Sequence, residues 1–173
     1  PLAVPRVQPD AAAVEALAQR LLQSRRPLLW LGGGARGAAA AVQRFVAMGF
    51  GIVTSVQGRG VVPETHAATL GAFNLQASAE TFYESVDAML VVGSRLRSNE
   101  TLSYRLNLPR HRYRIDANAL ADNRGYSSEL FVHGDAGLTL NALADRLEGR
   151  MQIDPALAGD LLRTRAEAEA QVD

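Results

Sequence analysis

The chain has 173 residues, of which 47% are hydrophobic and 21% charged, and its 18 basic side chains balance its 18 acidic ones. These values are typical of one globular domain with a proper core, and an uncharged total offers no general attraction for nucleic acid or an acidic membrane surface. Cysteine is absent, which excludes disulfides, thiolate catalysis and cysteine metal sites. Every basic residue is arginine, which excludes a Schiff-base lysine and a P-loop lysine. No apolar run approaches the roughly 18 residues of a membrane span.

The predicted elements alternate along the chain. Residues 1–9 carry three of the seven prolines and are predicted to be an extended linker. Asp10 is a predicted N-cap for a helix whose apolar stripe runs from Val14 to Leu22. Short apolar runs predict strands, and stripes at helical spacing predict the other helices. The predicted strands are 28–31, 52–55, 69–71, 88–92, 112–116 and 130–133, and the further helices are 37–48, 76–86, 136–147 and 155–171.

This alternation predicts a doubly wound, Rossmann-like α/β domain over residues 10–150. We expect a mainly parallel sheet of about six strands with helices on both faces. Residues 88–92 are apolar throughout, which favours a central strand. Residues 151–173 hold a charged helix with a weak stripe, and this segment is predicted to be a connector. Ligands of such sheets sit at the carboxyl ends of the strands, near the point where the strand order reverses.

A glycine turn follows the first predicted strand. Gly32, Gly33 and Gly34 begin a stretch that fits G-x-G-x-x-G and leads into a helix, a geometry that suits a diphosphate. The dinucleotide fingerprint also needs an acidic residue about 20 positions later. That place is 51–55, and the next acid is Glu64, so the NAD signature is incomplete. Close packing between a strand and a helix explains such glycines equally well.

Polar residues also follow the later predicted strands, along the same edge of the sheet. We expect Arg95 to help the glycines hold a diphosphate, Asp116 to accept from a ribose, and Asp135 to accept from an adenine amino group. The alternative is that each aspartate only caps the element after it. The arginines at 105, 110, 112 and 114 are interpreted as a solvated or interdomain surface. The three histidines lack metal spacing and no acid–base pair stands out, so no metal ligand and no catalytic residue is predicted.

Taken in order, six segments resemble the central domain of thiamine-diphosphate-dependent enzymes. The group includes acetolactate synthase, benzoylformate decarboxylase and oxalyl-CoA decarboxylase. Each segment is weak alone, but their order and spacing make the set fairly specific. The segments are 26–35, 52–63, 70–73, 86–96, 113–118 and 133–136.

The resemblance implies that the chain is a fragment, largely structural and inactive in isolation. The parent would be a bacterial, cytoplasmic 2-keto acid decarboxylase or carboligase, hence a lyase or transferase. Its N-terminal domain would carry the activating glutamate, and its C-terminal domain would bind thiamine diphosphate and Mg²⁺. These two domains would be the partners of this chain, and the parent would be a homodimer or homotetramer.

Within the resembled family, some central domains bind FAD, some ADP and many nothing. Flavin-binding members read Phe-Asp-Asp-Arg after their Gly-x-Arg, whereas this chain reads Leu-Arg-Ser-Asn at 96–99. That departure disfavours FAD and leaves ADP open, in a site that is either real or vestigial. The alternative from a different class is a stand-alone nucleotide-binding module or an NAD-type oxidoreductase. The missing ribose acid after the second strand argues against it.

Overall fold

The computed structural model describes residues 5–122 and 125–172. Within these residues, five strands form one parallel sheet flanked by five α-helices. The strands are β1 (Pro27–Leu31), β2 (Gly51–Thr54), β3 (Ala88–Val92), β4 (Arg112–Asp116) and β5 (Leu130–His133). The helices are α1 (Ala11–Leu21), α2 (Ala39–Met48), α3 (Ala77–Glu84), α4 (Ala136–Leu147) and α5 (Ala156–Ala170). No helix in this part of the chain is both long and apolar enough to cross a bilayer.

The strand order is β2-β1-β3-β4-β5, and all four neighbouring pairs are parallel. The predicted central position of residues 88–92 is confirmed, because β3 lies in the middle of the sheet and is buried throughout. The chain leaves β1 toward β2 on one side, and reaches β3 on the other side of β1. The strand order therefore reverses between β1 and β3, which is where doubly wound sheets open a crevice.

Helices cover both faces of the sheet, as the sequence predicted. Successive strand side chains point to opposite faces. On β1, Leu29 and Leu31 therefore enter one core with helices α1, α2 and α4, whereas Leu28 and Trp30 enter the other core with α3 and α5. Both faces of the central strands are buried, and this explains why their sequences are continuously apolar.

One of the six predicted strands, at 69–71, is not formed as a strand. The structure has there a single parallel bridge between Thr69 and Ile52. Ile52 accepts from the Leu70 N–H at 3.1 Å, but the backbone then turns away. Gly71 has a φ of +65° and begins a short 3₁₀ helix, Gly71–Phe73. A strand cannot continue through a left-handed residue. The sequence predicts about six strands, whereas the sheet has five within the described residues.

The helix predicted at 155–171 is α5, and it packs onto the domain. Leu157, Leu161, Thr164 and Ala168 are buried, and α5 contacts α3 and β2. The weak stripe in its sequence is therefore enough to bury one face. That the segment also leads toward another domain, and that 1–9 is a linker, stay predictions.

Candidate functional site

A cavity of about 430 Å³ opens at the carboxyl ends of β1, β2, β3 and β4, where the strand order reverses. We call it the inner cavity. Gly33, Ser55, Arg95 and Asp116 lie on its wall, each at or just after the end of a different strand. The sheet thus brings together residues that are far apart in sequence. Of the predicted site residues, Gly33, Gly34, Arg95 and Asp116 line this cavity, and Gly32 and Asp135 do not.

The glycine turn allows two backbone segments to approach closely. A Cβ on Gly32 would lie 2.5 Å from the Ser94 Cβ and would also overlap the Gly93 carbonyl oxygen. A Cβ on Gly34 would lie 2.8 Å from the Gly93 Cα. Gly93 itself has a φ of +63°, which favours glycine. The loops after β1 and β3 are therefore in contact through their backbones, and packing alone requires these glycines.

The N–H groups of the turn differ in what they are free to bind. The Gly32 N–H donates to the Val92 carbonyl at 2.8 Å, and the Gly34 N–H donates to the Gly93 carbonyl at 3.0 Å. The Gly33 N–H has no backbone acceptor among the described residues, and Gly33 faces the cavity. Of the N–H groups of the turn, only that of Gly33 therefore remains available to a phosphate. A 3₁₀ segment, Gly33–Ala38, precedes α2, so the turn does not open directly into an α-helix.

The segment after β3 supplies two cations to the cavity wall, Arg95 and Arg97. Arg95 is exposed and makes no ion pair with a described residue. The next residue, Leu96, is fully buried with a φ of +49°. Glu100 Oε2 accepts from the Arg97 N–H at 3.0 Å and from the Ser94 hydroxyl at 3.4 Å. This carboxylate therefore stabilises the loop that presents Arg95.

The two predicted aspartates have different surroundings. Asp135 caps α4, because its Oδ2 accepts from the Leu138 N–H at 2.9 Å. Asp116 Oδ1 accepts from the Asn118 N–H at 2.8 Å and so stabilises the turn after β4. Its Oδ2 has no hydrogen bond to a described residue, and Asp116 is on the cavity wall. Capping thus accounts for the position of Asp135, whereas Asp116 keeps one oxygen available to a ligand.

A second, larger cavity of about 850 Å³ adjoins the first, and we call it the outer cavity. Arg95, Arg97, Asn99 and Asn118 line both cavities. Tyr104, Leu120 and Ala121 are among the residues that line only the outer one. The sequence does not predict this region, because nothing in it shows that residues of the segments 97–104 and 118–121 line one cavity.

The interpretation of Arg114 as a surface residue is wrong. Its side chain is 1% exposed, and its guanidinium donates to the Ala121 carbonyl at 2.5 Å and to the Tyr126 carbonyl at 3.2 Å. Asp122 lies 3.7 Å away. Burial lowers the pKa of Arg114, and this is partly offset by the nearby aspartates. The side chain therefore fixes the loop after β4, which forms one wall of the outer cavity.

The histidines have local structural contacts. His66 Nδ1 accepts from the Ala68 N–H at 3.0 Å, His111 Nδ1 lies 2.8 Å from Glu129, and His133 Nε2 lies 2.9 Å from the Ala117 carbonyl. In residues 5–122 and 125–172, no three histidine, aspartate or glutamate side chains come together as a potential metal site.

Comparison with known proteins agrees with this architecture. Residues 14–143 match the family model described as the central domain of thiamine pyrophosphate enzymes. A Pseudomonas aeruginosa protein named "Probable 2-ketoarginine decarboxylase AruI" is 34% identical over 166 residues, which is 94% of this chain and 29% of that protein. The acetolactate synthase large subunit of Parasynechococcus marenigrum is 30% identical over 145 residues, 79% of this chain and 23% of that protein.

A solved structure named "X-ray structure of a putative thiamin diphosphate-dependent enzyme isolated from Mycobacterium smegmatis" has the same fold, with a TM-score of 0.66 at 24% identity. The match covers 89% of this chain and 30% of that one. The chain thus spans less than a third of the length of these relatives. The family match extends over all five strands, and it confirms the resemblance seen in the sequence. The chain belongs to the thiamine pyrophosphate enzyme family, in which it corresponds to the central domain.

Proposed function

We propose that this chain is the central domain of a thiamine-diphosphate-dependent enzyme that acts on a 2-keto acid, and that it does not catalyse the reaction alone. The observation that carries the proposal is the family match over residues 14–143, which takes in the whole sheet. The relatives named above include a decarboxylase and an acetolactate synthase. Their much greater length supports a parent with further domains, which would be the partners of this one.

The side chains at the cavity support a non-catalytic role. Glu100 is committed to the Arg97 N–H and the Ser94 hydroxyl, and Asp116 uses one oxygen for the Asn118 N–H. Because this chain spans less than a third of the length of its relatives, we place thiamine diphosphate and its metal in other domains of the parent. When bound there, that cofactor supplies the carbanion chemistry, and this domain supports the assembly.

We further propose that the inner cavity binds the diphosphate of an adenine nucleotide, with ADP as the simplest ligand. Arg95 would pair with the phosphates, the Gly33 N–H would donate to one of them, and Asp116 Oδ2 would accept from the ribose. All three groups face the cavity and have no competing hydrogen bond to a described residue. FAD is disfavoured, because 96–99 lacks the residues that flavin-binding members carry there.

Isothermal titration with ADP tests this site. Loss of one charge-assisted hydrogen bond costs about 1.5–3 kcal/mol, so we expect Arg95→Ala and Asp116→Asn each to weaken binding roughly 10- to 150-fold. Arg110→Ala is the matched control, since Arg110 is exposed and does not line either cavity. Measurable native binding that neither variant weakens would place the nucleotide elsewhere. Binding of NAD in preference to ADP would favour the oxidoreductase alternative.

The similarity to AruI makes 2-ketoarginine the first substrate to test on the parent. We propose that the full reading frame containing this chain, supplied with thiamine diphosphate and Mg²⁺, releases CO₂ from a 2-keto acid. The assay compares 2-ketoarginine, pyruvate and benzoylformate at equal concentration. Turnover of at least one of them is the expected result, and inactivity toward all three would contradict the proposed activity.

A further inference from the structure

The outer cavity has a different chemical character from the inner one. The inner cavity presents Arg95, the Gly33 amide and the Asp116 carboxylate, all suited to phosphates and sugar hydroxyls. The outer cavity adds Tyr104 and Leu120, which are 46% and 72% exposed. Because the two cavities share four wall residues, a single ligand can extend from one into the other.

We propose that the outer cavity binds the flat base of the nucleotide, and that the ring of Tyr104 is the stacking surface. The inference rests on the nucleotide site proposed above and adds the ring site and its residue. Aromatic side chains stack on bases because every base has a π-face, and an exposed tyrosine ring beside two arginines is a suitable platform. Arg95 and Arg97, on the shared wall, would hold the phosphates at the junction.

The backbone that presents Tyr104 is strained. Leu102, Ser103 and Tyr104 have φ values of +52°, +58° and +63°, a left-handed run that non-glycine residues rarely adopt. Hydrogen bonds hold both of its later N–H groups, from the Ser103 N–H to the Ser98 carbonyl at 2.8 Å and from the Tyr104 N–H to Thr101 Oγ1 at 3.3 Å. Such strain persists only where the surroundings enforce it, and it is concentrated at ligand sites.

The ring of Tyr104 is also supported along one edge. A Cβ on Gly125 would lie 2.6 Å from two ring atoms of Tyr104, so the Gly125 backbone packs directly on that edge. The Tyr126 ring lies 6.4 Å from the Tyr104 ring, centroid to centroid. Tyr126 is fixed in turn, because its hydroxyl donates to the Leu106 carbonyl at 2.6 Å and the Arg112 guanidinium lies 5.5 Å from its ring centroid. The Tyr104 ring, which lines the outer cavity, is thus held in place by its neighbours.

The test compares two ligands, ADP and inorganic pyrophosphate, by isothermal titration against the native chain and two variants. Tyr104→Phe keeps the ring, whereas Tyr104→Asn removes it and places a residue that tolerates left-handed backbone. We expect Tyr104→Asn to weaken ADP binding roughly 5- to 150-fold, the range of base–aromatic stacking. Pyrophosphate binding should change less than about twofold in both variants, and Tyr104→Phe should bind ADP as the native chain does.

The outcomes separate this inference from the proposed site. Native binding of ADP that Tyr104→Asn leaves unchanged would overturn the stacking inference alone. Equal losses for ADP and pyrophosphate would also overturn it, because the variant would then act on the phosphates. Native binding of neither ligand would overturn the nucleotide site itself. Should Tyr104→Asn fail to fold, nuclear Overhauser contacts between the adenine protons of ADP and the Tyr104 ring in the native chain decide the question: their presence supports stacking and their absence overturns it.

Discussion

Replacing Gly32 by alanine tests whether the glycine turn is required by packing. Gly32 has φ −100° and ψ −172°, a conformation open to alanine, so the change adds no backbone strain. The new methyl group would lie 2.5 Å from the Ser94 Cβ and would overlap the Gly93 carbonyl. One of these obstacles is a backbone atom, which cannot rotate aside. The loops after β1 and β3 would therefore have to separate.

The expected loss is at the upper end of the usual cost of overpacking, about 3 kcal/mol of the free energy of unfolding. For a chain of this size that lowers Tm by roughly 6–12 °C. Gly37→Ala is the control, because a Cβ there meets nothing within 4 Å and Gly37 has no positive φ. It should be stabilising by about 0.4–1 kcal/mol.

The assay is urea unfolding followed by tryptophan fluorescence, since the chain has one tryptophan, Trp30, and it is fully buried. Two results would refute the reasoning. One is a Gly32→Ala chain as stable as the native one, which would mean that the two loops separate at no cost. The other is an equal loss in Gly37→Ala, which would mean that any side chain on this turn is harmful.

Three further changes test other parts of the fold. Burial raises the pKa of Tyr83 above the usual tyrosine value of about 10, so its stabilising effect is complete below about pH 10 and is lost as pH rises further. Urea unfolding at pH 9 and pH 11 should show a smaller fall in the free energy of unfolding for Tyr83→Phe than for the native chain, and equal falls would contradict this. Leu90→Ala, in the central strand, should lower the free energy of unfolding by about 2–5 kcal/mol. Leu162→Ala, on the exposed side of α5, should lower it by less than about 0.5 kcal/mol. Similar losses in the two variants would count against a core centred on β3. Arg114→Lys should lower Tm, because an ammonium cannot reach both carbonyls that the guanidinium bonds; an unchanged Tm would show that those two bonds contribute nothing.

Much of the fold could be predicted because its local signals agree with its packing. The run at 88–92 is apolar on both faces and proves to be the central strand, and Asp10 and Asp135 cap the helices that follow them. The sequence also predicts a short strand at 69–71, within a glycine-rich, irregular segment. The left-handed Gly71 prevents that strand, and a sequence does not reveal the sign of φ at a glycine.

The site was harder to predict, since it depends on contacts between distant segments. The sequence places Gly33, Arg95 and Asp116 after three strands, and the structure brings them to one cavity. It does not show that the Gly32 and Gly34 amides are already bonded to the end of β3 and the loop after it. Nor does it show the burial of Arg114, because an arginine in a strand is ordinarily exposed and its partners here are carbonyls of a later loop.

The most direct test of the central claim is a turnover assay of the purified 173-residue chain. CO₂ release from 2-ketoarginine and from pyruvate would be measured with thiamine diphosphate and Mg²⁺ in excess. The full-length protein encoded by the same reading frame would be assayed in parallel at the same molar concentration. We predict no release above background from the chain alone and turnover from the full protein. Turnover by the chain alone would contradict its assignment as a central domain that depends on other domains for catalysis.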